Sequence, residues 1–132
     1  MEEQKLHKTE KILINDEQKW SRDFLKTFLE KKGYITCSVP NFDKGKKLME
    51  NQCFDLVIIN IDNIAFNLSE IIYQIKKSNP GIIAYALTSN YDKEIANEAM
   101  SKGINGFFSK PFNANTIEWQ IFGHLDDKKR LK

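Results

Sequence analysis

Cysteine is scarce in this chain of 132 residues, with only Cys37 and Cys53, and histidine is equally scarce, with only His7 and His124. No CxxC pair occurs and no histidine lies near either cysteine, so two reduced structural thiols are expected rather than metal or redox chemistry. Neither histidine has a catalytic neighbour in sequence. No apolar run approaches the roughly 20 residues needed to cross a bilayer. The first ten residues are polar and lack the apolar stretch of a signal peptide. A cytoplasmic protein without a membrane partner is expected. An excess of one charge is missing too: 20 basic and 18 acidic residues leave a net charge of +2. The lysines are dispersed and form no arginine-rich block. Such a balance argues against nucleic acid as the main partner. There is no internal repeat and no linker.

What is present suits one soluble domain. A hydrophobic fraction of 41% and a charged fraction of 29% are ordinary for a globular protein, and the length allows a real core. The chain alternates regularly. KILIN at 11–15 reads as a buried strand. A helix over 19–32 carries Phe24, Leu25, Phe28 and Leu29 on one face, and Gly33 ends it. A second strand over 34–39 is rich in β-branched and aromatic residues, and a short helix over 42–51 follows. The third strand, over 54–61, contains LVII. A helix over 67–78 places Ile71, Ile72 and Ile75 together, and the turn Ser78-Asn79-Pro80-Gly81 follows it. The fourth strand is predicted over 82–87, a helix over 92–102, the fifth strand over 104–109 and the last helix over 113–125. A flexible extension over 1–10, one domain over 11–125 and a charged, fraying tail over 126–132 are expected. Five apolar strands alternating with helices predict an α/β domain, with a parallel sheet covered on both faces.

In such sheets, ligands bind beyond the carboxyl ends of the strands. Those ends carry Asp16 and Glu17 after the first strand, Asn60 and Asp62 after the third, Thr88 and Ser89 at the fourth, and Lys110-Pro111 at the fifth. Carboxylates gathered there suit a hard divalent cation, and a hydroxyl and an ammonium beside it suit a phosphoryl group. Nothing else in the chain collects polar chemistry in this way.

These residues resemble the response-regulator receiver domains of two-component signalling, over 11 to about 125. Asp16-Glu17 match the family's acidic pair. Asp55-Leu56-Val57-Ile58-Ile59-Asn60 matches the strand that ends in the phosphoacceptor aspartate. Thr88 matches its strand-four hydroxyl, and Lys110-Pro111-Phe112 its lysine-proline pair. The resemblance implies a flavodoxin-like (βα)5 doubly wound sheet of strand order 2-1-3-4-5, with Phe107 at the aromatic switch position and a cis bond before Pro111. Departures are Ile64 where many members have proline, Leu68 where they often have glycine and, above all, Asn60 in place of the acceptor.

A receiver's carboxylate attacks phosphohistidine and forms an acyl phosphate. A neutral carboxamide has no anionic oxygen and is a very poor nucleophile. Its presence also removes one of three charges that would hold Mg²⁺, so no cofactor is required and any Mg²⁺ binding is weak. The expected function is therefore a phosphorylation-independent, non-enzymatic signalling module acting by protein–protein interaction. The alternative is a ligand- or Mg²⁺-responsive receiver with residual phosphoacceptance through Asp62. Asp62 reads first as a solvated loop residue and second as a replacement metal ligand. Lys110 suits either an ion pair with Asp16 or Glu17 or a phosphate-gripping role.

On the last helix, at about 100° per residue, Ala114, Ile117, Ile121 and Leu125 share the core face. Trp119 points nearly opposite, with Phe122 beside it. The resemblance makes the face formed by helix four, strand five and helix five the contact surface for a histidine kinase, an effector or a second copy. Trp119 and Phe122 are the candidates for that contact. His124 is expected to pack near the core edge.

Overall fold

The computed structural model describes residues 10–64 and 67–130. The extension expected over 1–10 lies outside the described residues except for Glu10. Five strands and five helices alternate. They are β1 (Lys11–Asn15), α1 (Lys19–Lys31), β2 (Ile35–Val39), α2 (Phe42–Asn51), β3 (Leu56–Asn60), α3 (Leu68–Ser78), β4 (Ile83–Thr88), α4 (Lys93–Ser101), β5 (Gly106–Ser109) and α5 (Ala114–Arg130). All neighbouring strands are parallel, in the order β2-β1-β3-β4-β5. The expected doubly wound α/β fold is the observed one.

Alternate residues of each central strand serve opposite faces of the sheet. Leu13, Val57, Ile59, Ala84 and Ala86 pack with Met49 of α2, Ile71, Ile72 and Ile75 of α3, and Ala99 of α4. Ile12, Ile14, Leu56, Ile58, Tyr85 and Leu87 pack with Leu25 and Leu29 of α1 and Ile117, Ile121 and Leu125 of α5. Both faces of these strands are buried, which is why the strands read as continuous apolar runs rather than as alternating ones. β2 and β5 are the edge strands and are less buried; Ile35 of β2 is 48% exposed.

Local signals set the ends. Asn41 and Asp92 cap α2 and α4 by accepting from backbone N–H groups, Asn41 from Lys44 and Asp92 from Glu94 and Ile95. Gly33 and Gly103 take positive φ of 98° and 117° after α1 and α4, a conformation that favours glycine. Tyr34, predicted inside β2, is buried one residue before it, against Phe122 of α5. β5 starts at Gly106 rather than 104, because the Asn105 side chain accepts from the Ala84 N–H where the strand ladder would begin. α5 runs on to Arg130, past the expected end at 125. Its polar sequence there contains no proline or glycine to stop a helix.

Candidate functional site

The sheet register brings the predicted rim residues to one edge. Asn15 pairs with Ile59, Asn60 with Leu87, and Thr88 with Ser109. The next residues, Asp16, Ile61 and Lys110, therefore leave the sheet on the same side. Backbone bonds from Asp16 N–H to Val39, from Ile61 N–H to Leu87 and from Lys110 N–H to Thr88 hold these departures.

Asp16 is buried, and protein groups surround its carboxylate. Its Oδ2 faces the Lys110 ammonium at 3.0 Å, with side-chain exposures of 0% and 5%. Its Oδ1 accepts from Asn60 Nδ2 at 2.9 Å and from the Gln18 N–H at 3.1 Å. The buried Ser21 hydroxyl stands beside the carboxylate without a full hydrogen bond. Burial pushes the Asp16 carboxyl pKa up. Ser21, the Gln18 amide, Lys110 and Asn60 together outweigh burial and hold it below the ordinary aspartate value. Of the two pairings open to Lys110, the Asp16 one forms. Its ammonium also donates to Gln18 Oε1 and lies 5.6 Å from the Trp20 ring centroid. The Lys110–Pro111 bond is cis.

Asn60 uses both ends of its amide. Nδ2 donates to Asp16, and Oδ1 accepts from the Asp62 N–H at 2.8 Å. The bond to Asp62 tightens the turn after β3, in which the Ile64 N–H reaches back to Ile61.

Asp62 is an exposed loop residue, as expected, but protein donors also hold its carboxylate. Oδ1 accepts from the Thr88 hydroxyl at 2.6 Å and from the Ser89 N–H at 3.2 Å, and Oδ2 accepts from the same N–H at 3.1 Å. Thr88 Oγ1 accepts in turn from the Asn90 N–H at 3.0 Å. Glu17 is also diverted: both its oxygens accept from Asn63 Nδ2 at 2.7 Å. This arrangement suits a divalent cation poorly. The carboxylates of Asp16, Glu17 and Asp62 are each engaged by protein donors, and an amide N–H₂ points at Asp16 where a third anionic ligand would be needed. Among the described residues, no cluster of three or more His, Cys, Asp or Glu is placed to hold a metal.

Next to the rim, Phe107 is half-buried against the α2–α3–α4 core, with the Tyr91 ring edge-on at 6.1 Å. A groove of about 430 Å³ lies beside it, lined by Tyr91, Phe107, Phe108, Phe112, Thr116 and Ile117. Trp119 is 81% exposed, as its helical phase predicts. Phe122 is not beside it on the open side. It turns toward α1, half-buried, with its ring centroid 5.2 Å from that of Tyr34. The error lies in assigning Phe122 to the outward face. It lies about 60° from the core residue Leu125 on the helical wheel, on the same flank as Glu118. That flank comes under α1, where Glu118 meets Lys32 at 3.3 Å. The hydroxyl of the buried Tyr85 and His124 Nδ1 are hydrogen-bonded to each other, and burial pushes the Tyr85 phenol pKa well up.

Sequence reading missed Gln18, Ser21 and Asn63: Gln18 and Asn63 meet Lys110 and Glu17, which are distant in sequence, and Ser21 lies near Asp16 in sequence but only the fold buries the two together. It also missed an aromatic row over α1 and the β5–α5 loop. Trp20 and Phe24 lie 5.8 and 5.7 Å from Phe112, and Phe24 stacks on Phe28 at 6.2 Å. The i, i+4 spacing of Trp20, Phe24 and Phe28 was the available signal.

The family model for the response regulator receiver domain matches residues 12–122. The chain is similar to sporulation initiation phosphotransferase F of Bacillus subtilis, at 27% identity over 88% of this chain and 94% of that one. It is also similar to a cyclic di-GMP phosphodiesterase of Thermotoga maritima, at 24% identity over 83% of this chain, and it spans 29% of that relative's length. Among solved structures, a CheY-like receiver domain protein of Methanospirillum hungatei superposes with a TM-score of 0.85, at 23% identity, over 95% of this chain and all of that one. No helix among the described residues is long and apolar enough to cross a membrane. Receiver domains are in general non-enzymatic modules that engage kinases and effectors. With the matched region spanning most of the chain and the strand-end residues gathered at one rim, the chain belongs to the response regulator receiver domain family of two-component signal transduction.

Proposed function

We propose that this domain is a phosphorylation-independent receiver that works by protein–protein interaction. The observation that carries this reading is the Asn60 carboxamide at the end of β3, with Nδ2 directed at Asp16. A carboxamide cannot supply the anionic oxygen for attack on a phosphoryl group, and its N–H₂ adds a donor where a receiver gathers negative charge. Mg²⁺, if it binds, has to compete with Lys110 for Asp16 and with Asn63 for Glu17, so weak binding is expected and none is required. Asp62 is a poor replacement acceptor, because both its oxygens already take hydrogen bonds from Thr88 and Ser89.

The partner in this reading is a histidine kinase, an effector or a second copy of the chain. The proposed contact is the face formed by α4, β5 and α5, where Tyr91, Ile95 and Trp119 are exposed. No catalytic residue is assigned. Incubation with acetyl phosphate and Mg²⁺, followed by intact mass, tests the proposal. The wild-type protein is expected to gain no phosphoryl group. A mass gain mapped to Asp62 would instead establish residual phosphoacceptance there.

A further inference from the structure

Thr88 and Ser89 form an anion seat at the end of β4. The Thr88 hydroxyl and the Ser89 N–H converge on one point, and both aim at oxygens of a single carboxylate, that of Asp62. Thr88 is 5% exposed, and the Asn90 N–H donates to its oxygen. Its hydroxyl proton is thereby directed at Asp62 and not at solvent. The Thr88–Asp62 separation of 2.6 Å is that of a charge-assisted bond, which is about twice as strong as a neutral one. The loop supplies this anion by construction. The Asp62 N–H is pinned to Asn60 Oδ1, and the Ile61 N–H to Leu87 on β4, so the Asp62 side chain leaves the turn toward β4.

We infer that Asp62 is a resident anionic ligand of the Thr88–Ser89 seat, and that it holds the end of β4 permanently in an anion-bound state. The inference rests on the phosphorylation-independent reading and deepens it: an anion that would otherwise come and go is part of the chain. An intramolecular ligand needs no encounter and is present at a high effective concentration. It therefore excludes a free tetrahedral anion such as inorganic phosphate from the same two donors. Thr88 and Phe107 line one small cavity with Tyr91 and Asp62. The Thr88 side chain thus faces the same cavity as the Tyr91 and Phe107 rings that border the α4–β5–α5 face.

The test compares wild-type, Asp62→Ala and Asp62→Asn proteins by NMR, following the Ser89 amide and the Tyr91 and Phe107 rings, with and without inorganic phosphate. Thermal melting first establishes that each variant is folded. In Asp62→Ala the Ser89 amide should lose its protection from hydrogen exchange, and the Tyr91 and Phe107 resonances should move. Phosphate should return them toward their wild-type positions. Wild-type spectra should not respond to phosphate. Asp62→Asn, equal in shape but neutral, should fall between the two. Unchanged Ser89, Tyr91 and Phe107 signals in folded Asp62→Ala would overturn the inference, as would a phosphate response in wild-type protein equal to the variant's. So would shifted signals in Asp62→Ala that phosphate leaves unmoved. None of these readings uses a phosphodonor, so they stand apart from the mass experiment, whose failure would instead remove the phosphorylation-independent reading.

Discussion

Asn60 shows how one atom changes the character of a site. Its amide presents a donor to the Asp16 carboxylate and an acceptor to the Asp62 N–H. An aspartate would keep the second bond and replace the first with two carboxylate oxygens facing each other at about hydrogen-bond distance. Like charges that close cannot both ionise without cost. Asn60→Asp should therefore destabilise the metal-free protein by about 1–3 kcal/mol, through the lost donor and the new repulsion. It should also make stability depend on Mg²⁺, since a cation between Asp16 and the introduced carboxylate would relieve that repulsion. Urea unfolding with and without Mg²⁺ would read both effects. A variant as stable as wild type and indifferent to Mg²⁺ would mean that the Asn60–Asp16 contact contributes little.

At the scale of the element, α5 separates two aromatic residues that sequence alone had grouped. Trp119 projects from the helix into solvent, whereas Phe122 covers Tyr34 beside α1. Trp119→Ala should change stability by no more than about 0.5 kcal/mol, as is usual for an exposed position. If α4, β5 and α5 form the contact face, the same change should weaken self-association or partner capture by roughly 2 kcal/mol, the effect of truncating a central interface aromatic. Phe122→Ala should do the reverse. It should cost about 1–2 kcal/mol of stability, for a ring that is part-way buried, and leave association intact. Thermal melts paired with analytical ultracentrifugation distinguish the two residues. Equal destabilisation by both changes would contradict their different placement.

Across the whole molecule, the Asp16–Lys110 pair joins the end of a central strand to the end of the edge strand β5, with β3 and β4 between them. Removing one partner of a pair this buried typically costs about 3–5 kcal/mol, because the other is left charged and uncompensated. Lys110→Met should fall in that range by urea denaturation. The pH dependence has a definite sign. The folded Asp16 carboxyl sits below its ordinary value of 3.8, so its contribution to stability is complete above that value. It is lost as the pH falls through the lower folded-state pKa. The urea midpoint should thus decline below about pH 4, and Asp16→Asn should remove part of that decline. An acid limb identical in the variant would assign the loss to other carboxylates.

The order of elements, the parallel sheet and the identity of the rim residues follow from the sequence itself. Apolar runs such as LVII can only be buried on both faces, and Asp16, Asn60, Thr88 and Lys110 stand at strand ends whatever the details of packing. The loss of an anionic nucleophile at position 60 is likewise a property of the residue and needs no coordinates. Tertiary structure alone decided which partner each polar group takes. Lys110 chooses Asp16 over Glu17 because the ends of β1 and β5 bring their side chains together out of water, while Glu17 lies outside and meets Asn63. Asp62 turns onto Thr88 because the turn after β3 is pinned to Asn60 and Leu87. Phe122 turns to Tyr34 because α1 stands next to α5 across the sheet face. Each of these choices joins residues far apart in the chain, so helical phase and local spacing carry no record of them. They arise only when the parallel strands bring those residues to one rim and one face.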